Sequence, residues 1–261
     1  MIQPFVLRRD KATVLSDLPE KIEMNYYSTL TTDQKTIYLA YLRQMQEEIS
    51  QMDSSTFKKN RISILAGLTR LRQICCDPRL FVEEYQGGSG KLEQVKDLLL
   101  AAKENKRRVL LFSQFTSMLS LIADELDEMG LSHFYLRGST PPKDRIEMVD
   151  AFNEGEADVF LISLKAGGTG LNLTGANTVI LYDLWWNPAV EEQAAGRAHR
   201  MGQKQVVEIW RMISEGTIEE RMDDLQNEKR ELFQKVIQGN EAQLQQMTEE
   251  DIRLILSMGD E

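Results

Sequence analysis

An α/β fold is predicted: a doubly wound, mainly parallel sheet with helices on both faces, a helical segment ahead of it and a long helix after it. Three observations carry this. From Lys91 onward, short β-branched or apolar runs alternate with amphipathic stretches. Those runs are apolar on both faces, as buried parallel strands are. Residues 1 to about 86, by contrast, hold several helical signals and few strand signals. With 261 residues, 42% hydrophobic and 28% charged, the chain can bury a sizeable core, and its composition argues against a wholly disordered or a membrane protein.

Taken in order, Thr32-Asp33 caps a helix over QKTIYLAYLRQMQEEI, with apolar Ile37, Leu39, Tyr41, Leu42 and Met45. A second periodic run, Ile62 to Ile74, stops at Asp77-Pro78, because proline disfavours helical geometry in the residue before it. Gln86 to Gly90 is read as a flexible joint, which places a domain boundary there and divides the chain into 1–86, 87–205, 206–240 and 241–261. Strands are expected at Val109–Phe112, His133–Leu136, Val159–Ile162, Val179–Tyr182 and Val206–Trp210. Helices are expected at Leu92–Ala102, Ser117–Met129, Lys143–Phe152, Ala189–His199 and Ile218–Val236, with a small helical tail at the end. In such sheets ligands sit beyond the C-terminal ends of the strands, so the loops there are the first places to look for function.

Composition narrows the partners less than the motifs do. The formal net charge of −10 counts against nucleic acid on average, but acidic residues crowd the C-terminal helices while Arg and Lys punctuate the loops. No apolar run reaches the ~20 residues of a membrane span, and MIQPFVLRRDK lacks a secretory core, which points to the cytosol, or to a nucleus if the source has one. Cys75 and Cys76 are adjacent and leave no second pair for zinc. His133 sits in a strand and His199 in a helix, with no nucleophile arranged for triad chemistry.

The most informative stretch is QAAGRAHRMGQ, 193–203, after Trp185-Trp186-Asn187-Pro188. Asn187 as N-cap and Pro188 at the first position start a helix that puts Gln193, Arg197 and Arg200 on one face. Such a stripe is either a fixed receptor for phosphoryl oxygens or a surface row of ion pairs. LISLKAGGTGLNLTGANTVILYD, 161–183, joins two strands by a glycine-rich loop. Gly167, Gly168 and Gly170 let backbone amides approach an anion, with Lys165 adding charge, or they simply turn the chain. GGSGKL, 87–92, is not a P-loop: Tyr85 stands where the first glycine belongs and Leu92 where Ser or Thr belongs. Asp124-Glu125 lies within a helix and makes a poor magnesium site. One of Trp185 and Trp186 must leave the core, to stack on a partner or to pack beneath a neighbouring loop.

PFVLRRDKATVLSDLPEK, LRQICCDPRL, SGKLEQV, VLLFSQFTSML, YLRGST, the run from Ser163 to Gln203, and GTIEERM together resemble the C-terminal half of SWI/SNF-type translocases of helicase superfamily two. The resemblance implies a RecA-like second lobe with an N-terminal helical protrusion and, over 206–239, a C-terminal brace helix. It implies a motor in which two such lobes clamp ATP and magnesium and move along double-stranded DNA. Arg197 and Arg200 would be its arginine fingers, with Gln193, Gly168 and Gly170 on the nucleotide side. Ser113, Gln114, Arg137, Gly138, Ser139, Lys165, Asn172 and Trp185 would lie toward DNA. The family usually has aspartate where Gly196 stands, which bears on the placement of the first finger. The Walker loop and acidic magnesium motif belong to a first lobe, so this stretch alone is expected neither to hold ATP tightly nor to hydrolyse it, and it binds no metal. A stand-alone protein-interaction module built on the acidic C-terminal helices is the alternative, and an RNA-directed helicase lobe a third.

Overall fold

The structure, a computed structural model, describes residues 18–163, 171–235 and 247–257, with the backbone alone over 229–235. Six parallel strands form one sheet: β1 (Lys21–Ser28), β2 (Val109–Ser113), β3 (His133–Leu136), β4 (Val159–Ser163), β5 (Thr178–Leu181) and β6 (Val207–Ser214), in the order β1-β6-β5-β2-β4-β3. The helices are α1 (Thr32–Ser50), α2 (Ser54–Cys76), α3 (Gly90–Glu104), α4 (Thr116–Glu128), α5 (Pro142–Glu154), α6 (Pro188–Ala195), α7 (Ile218–Lys235) and α8 (Glu249–Leu256), with a 3₁₀ turn at Pro78–Leu80.

Strand alternation builds two cores, one on each face. Val109 and Leu111 of β2 face α3 and α4, where Val95, Leu99, Met118 and Ile122 are buried with them. Leu110 and Phe112 face the other way, onto Phe152 of α5 and Ala194, Ala195 and Ala198. Because β2 pairs with both β4 and β5, the chain crosses from one half of the sheet to the other between β4 and β5. That crossing is the switch point where α/β sheets open a crevice at their strand ends.

The segment ahead of the sheet departs from a purely helical arm. KIEMNYYS forms β1, an edge strand matched residue for residue to β6 from Lys21↔Val207 to Ser28↔Ser214. Its polar–apolar alternation, with Met24 and Tyr26 against the core and Glu23 and Asn25 on the other face, is the pattern of a half-buried strand, a signal the sequence reading passed over. The cap of α1 is Thr31, one residue earlier than expected, closed into a capping box by Gln34. Residues 86–90, expected as a flexible joint, are pinned instead. Ser89 caps α3 and donates 2.7 Å to Cys76 O, and a Cβ on Gly90 would lie 1.9 Å from Thr29 O.

A third core unites the two ends of the chain. Tyr38, Leu42, Leu68 and Leu71 of α1 and α2 are buried with Ile218 and Met222 of α7 and Ile252, Ile255 and Leu256 of α8. Arg253 fastens α8, donating to Ile49 O at 3.2 Å in the last turn of α1 and to Met52 O at 3.0 Å just beyond it.

Candidate functional site

Beyond the C-terminal ends of β2 and β5, Asp183 gathers the loops that the switch point brings together. It is the second residue after β5 and is 1% exposed. Ser113 Oγ donates to its Oδ1 at 2.5 Å, and Gln114 donates both from its backbone N (3.1 Å) and from Nε2 (2.5 Å to Oδ2). From α2, Arg72 approaches the same carboxylate at 3.6 Å, donates to Gln114 Oε1 at 3.1 Å, and donates to Leu184 O. Burial raises the pKa of Asp183 above the ordinary carboxylate value, and Arg72, Ser113 and Gln114 offset part of that rise. Ser113 is thereby buried, its hydroxyl donating to Asp183 and accepting from Phe115 N at 3.1 Å, which shapes the β2 loop.

The loop after β3 stands at the same edge. Arg137, Gly138 and Ser139 are exposed, in a turn closed by Arg137 N to Thr140 Oγ1 at 3.0 Å and Thr140 N to Arg137 O at 3.1 Å. The Arg137 guanidinium lies 4.5 Å from the ring of Tyr135, whose hydroxyl donates to Thr116 O at 2.8 Å, so the cation is carried on a fixed platform. Lys165, Gly168 and Gly170 lie outside the described residues.

The arginine stretch is a second group, and its geometry corrects the helical stripe. Helix α6 ends at Ala195, with Gly196 as its C-cap, so Gln193 is on the helix while Arg197 and Arg200 follow it. Tight turns replace the helix: Arg197 N bonds Ala194 O and Ala198 N bonds Ala195 O, each at 3.2 Å. Glycine, with its cost of ~1 kcal/mol in a helix, sits where the helix stops. His199 follows the same turns, not a helix, with Nε2 2.8 Å from Pro19 O. The turn is tied to the crossover between β4 and β5: Leu173 N donates to Arg197 O at 3.0 Å, and Arg200 reaches Leu171 O at 3.5 Å. Asn172, between those residues, is exposed.

Arg197 is half-buried, and its Nε is buried with no hydrogen-bond partner among the described residues. Burial and then Arg200 pull its pKa below that of ordinary arginine. Among the described residues the two cations have no acidic partner, and each disfavours the charge on the other.

Residues that sequence reasoning passed over hold this group in place. Gln203 donates from Nε2 to Ala176 O (2.7 Å), Ala198 O (3.1 Å) and Thr174 O (3.2 Å), and its Oε1 accepts from Lys204 N and Gln205 N. Arg211 of β6 meets Glu191 of α6 at 3.2 Å, Asp223 of α7 and Gln226 Oε1 at 2.8 Å. Glu191 also accepts from Trp185 N at 2.9 Å, and Gln226 donates to Trp185 O, which fixes the half-buried Trp185 by its backbone. Trp186 packs on the third core. Lys91, the cation of the rejected GGSGKL, is fully buried 2.5 Å from Glu219 of GTIEERM. Among the described residues no group of His, Cys, Asp and Glu could hold a metal ion, and no helix is long and apolar enough to cross a membrane.

Known proteins of similar sequence and fold give the chain its family. The family model for the helicase conserved C-terminal domain matches residues 90–202, and that for the SNF2-related domain matches residues 1–80. An uncharacterized ATP-dependent helicase of Mycoplasma pneumoniae is 38% identical over 253 residues, covering 95% of this chain and 24% of that protein. The SWI/SNF-related matrix-associated actin-dependent regulator of chromatin subfamily A member 1 of Mus musculus is 38% identical over 251 residues, covering 91% of this chain and 24% of that protein. The chain thus spans about a quarter of the length of these curated relatives. Among solved structures, the Sulfolobus solfataricus SWI2/SNF2 ATPase core in complex with dsDNA superposes with a TM-score of 0.74 at 31% identity, covering 99% of this chain and 55% of that one. The C-terminal domain of the Sulfolobus solfataricus SWI2/SNF2 ATPase superposes with a TM-score of 0.72 at 30% identity, covering 92% of this chain and 100% of that one. The chain belongs to the SWI2/SNF2 ATPases, as their C-terminal, RecA-like domain.

Proposed function

We propose that this chain is the second motor lobe of an ATP-dependent double-stranded DNA translocase, supplying arginine fingers to the nucleotide and part of the DNA track. The observation that carries the reading is the Arg197–Arg200 pair, set in one turn without an acidic partner among the described residues. The site fits a phosphate: the orphaned Nε of Arg197 is a buried donor awaiting an acceptor. ATP with magnesium, held mainly by a first lobe, would supply the γ-phosphoryl group. Arg197 and Arg200 then stabilise charge on its oxygens, while Gln193, Gly168 and Gly170 face the nucleotide side of the cleft. Arg137, Gly138, Ser139, Lys165, Asn172 and Trp185 contact DNA, and Ser113 and Gln114 set the shape of the β2 loop beside them. In this reading α1 and α2 are the protrusion, α7 the brace, and the motor works in the cytoplasm, or in the nucleus of a eukaryote.

The chain alone is expected to leave ATP unhydrolysed, and joined to a matching first lobe it is expected to show DNA-stimulated turnover. In that two-lobe protein Arg200→Ala should lower kcat by roughly a thousandfold or more, the scale of a lost arginine finger; turnover at the full rate would reject the assignment. Duplex DNA titrated at low and moderate salt should bind the chain in a salt-sensitive way, and Arg137→Ala/Lys165→Ala should weaken that binding. Equal binding by the double variant would move the track elsewhere.

A further inference from the structure

The opposite edge of the sheet carries a second cationic feature. Arg108 immediately precedes β2, Asn177 precedes β5, and Lys204 and Gln205 lie just before β6. With Lys106 and Thr174 they line an open cavity of about 470 Å³ whose walls include no carboxylate. In a chain with 41 acidic and 31 basic side chains, that exclusion runs against the average.

The loop KENKRR sorts its own charges. Lys103 pairs with Asp158 at 3.2 Å and Arg107 with Glu208 at 2.5 Å. Lys106 and Arg108, between and beside them, have no acidic partner among the described residues, and neither has Lys204. Arg108 is held by carbonyls instead, donating to Phe152 O and to Asn153 O at 3.3 Å, with its guanidinium 5.4 Å from the Phe152 ring. Gly175 makes room for it: a Cβ there would lie 3.1 Å from Arg108 Nη1 and 2.8 Å from Asn153 Cα. Lys106 takes a left-handed φ of 53°, a conformation uncommon outside glycine, asparagine and aspartate, at the position that sets its side chain on the cavity wall.

We propose that this cavity is a phosphate-binding site, separate from the nucleotide and DNA contacts at the other edge of the sheet and beside α6. Three cations with no acidic partner among the described residues call for an anion of more than one charge, and the Thr174 hydroxyl, the Asn177 amide and the Gln205 amide add neutral polar groups around it. The volume is larger than one oxyanion needs and suits a phosphate with an attached group. That phosphate comes either from a nucleic-acid backbone or from a free phosphorylated molecule.

The test is calorimetric titration of the whole chain with sodium pyrophosphate at low salt. Saturable binding is expected, weakened at least tenfold in Lys106→Asn/Lys204→Gln and unchanged in Lys103→Gln, which removes a nearby cation that is already paired. Both lysines replaced in the double variant are exposed and have no acidic partner among the described residues, and a thermal melt matching the parent chain's establishes that it is folded. No saturable binding at millimolar pyrophosphate, or an equal loss in Lys103→Gln, overturns the proposal. Where binding is found, displacement of pyrophosphate by duplex DNA assigns the phosphate to a DNA backbone, and retention assigns it to a free ligand.

Discussion

Lys91 shows how a motif can be misread for its chemistry and still matter for its charge. In GGSGKL it resembles the lysine of a phosphate loop, yet both it and Glu219 are fully buried and 2.5 Å apart, with Ser214 N donating to the same Glu219 oxygen at 2.9 Å. Burial pulls the lysine pKa down, but Glu219 and the neighbouring thiols outweigh it, and the net direction is up. Removing one partner leaves a buried charge without compensation, so Lys91→Met should cost about 3–5 kcal/mol in urea unfolding. Lys91→Met/Glu219→Leu should recover most of that loss. The pH dependence has a definite sign. A lysine whose folded pKa lies above its unfolded value contributes stability that is fully present below the unfolded value of 10.5 and is lost as pH rises through the folded one. The parent chain should therefore lose more stability than Lys91→Met/Glu219→Leu when unfolding is compared at pH 9 and pH 11; equal losses would show that the pair does not titrate as described. Spacing alone made Arg197 and Arg200 candidates, but the anchoring of Asp183, Arg211 and Gln203 was not legible, because each bonds partners 20 or more residues away.

At the scale of elements, the sheet core was legible because buried parallel strands are continuous apolar runs, and β2, β3 and β4 begin where the runs VLLF, HFYL and VFLI do. The end of α6 was not. Periodicity carried the helix through Gly196 to His199, whereas the competing demand is the docking of the 196–203 turn on the β4–β5 crossover. Gln203 enforces that docking with three donated and two accepted bonds to backbone. Gln203→Leu preserves bulk but strands these carbonyls and amides, each worth about 1–3 kcal/mol when buried and unmet, reduced where water reaches them. A loss of roughly 3 kcal/mol is expected in urea unfolding, with faster hydrogen exchange at Leu173 N, which bonds Arg197 O. If the fingers act from this turn, ATP turnover of the two-lobe protein should fall as well. Unchanged exchange at Leu173 would mean that the turn is held by its own backbone bonds.

For the molecule as a whole, the decisive misreading concerns β1, since it changes which parts of the chain form one body. A helical arm ahead of a joint would be separable from the sheet. The fold instead places β1 along all eight residues of β6, buries α1 and α2 against α7 and α8, and sends Arg72 from α2 into the Asp183 cluster. The arm thus completes the sheet edge and reaches the candidate site. Removal of residues 1–30 would leave β6 as the edge, with Val207, Ile209, Met212 and Ile213, all at most 1% exposed in the intact chain, next to an open row of backbone donors and acceptors. Long apolar edges of this kind recruit further strands. The truncated chain is therefore expected to aggregate in size-exclusion chromatography under conditions where the full chain elutes at one size. Restoring Lys21–Ser28 through a linker at the other terminus should rescue it, because a parallel edge strand needs register with β6 more than its own place in the sequence. A soluble, folded truncation would show that the core formed by β2 to β6 closes without its edge, and would return the arm to the status of a separable part.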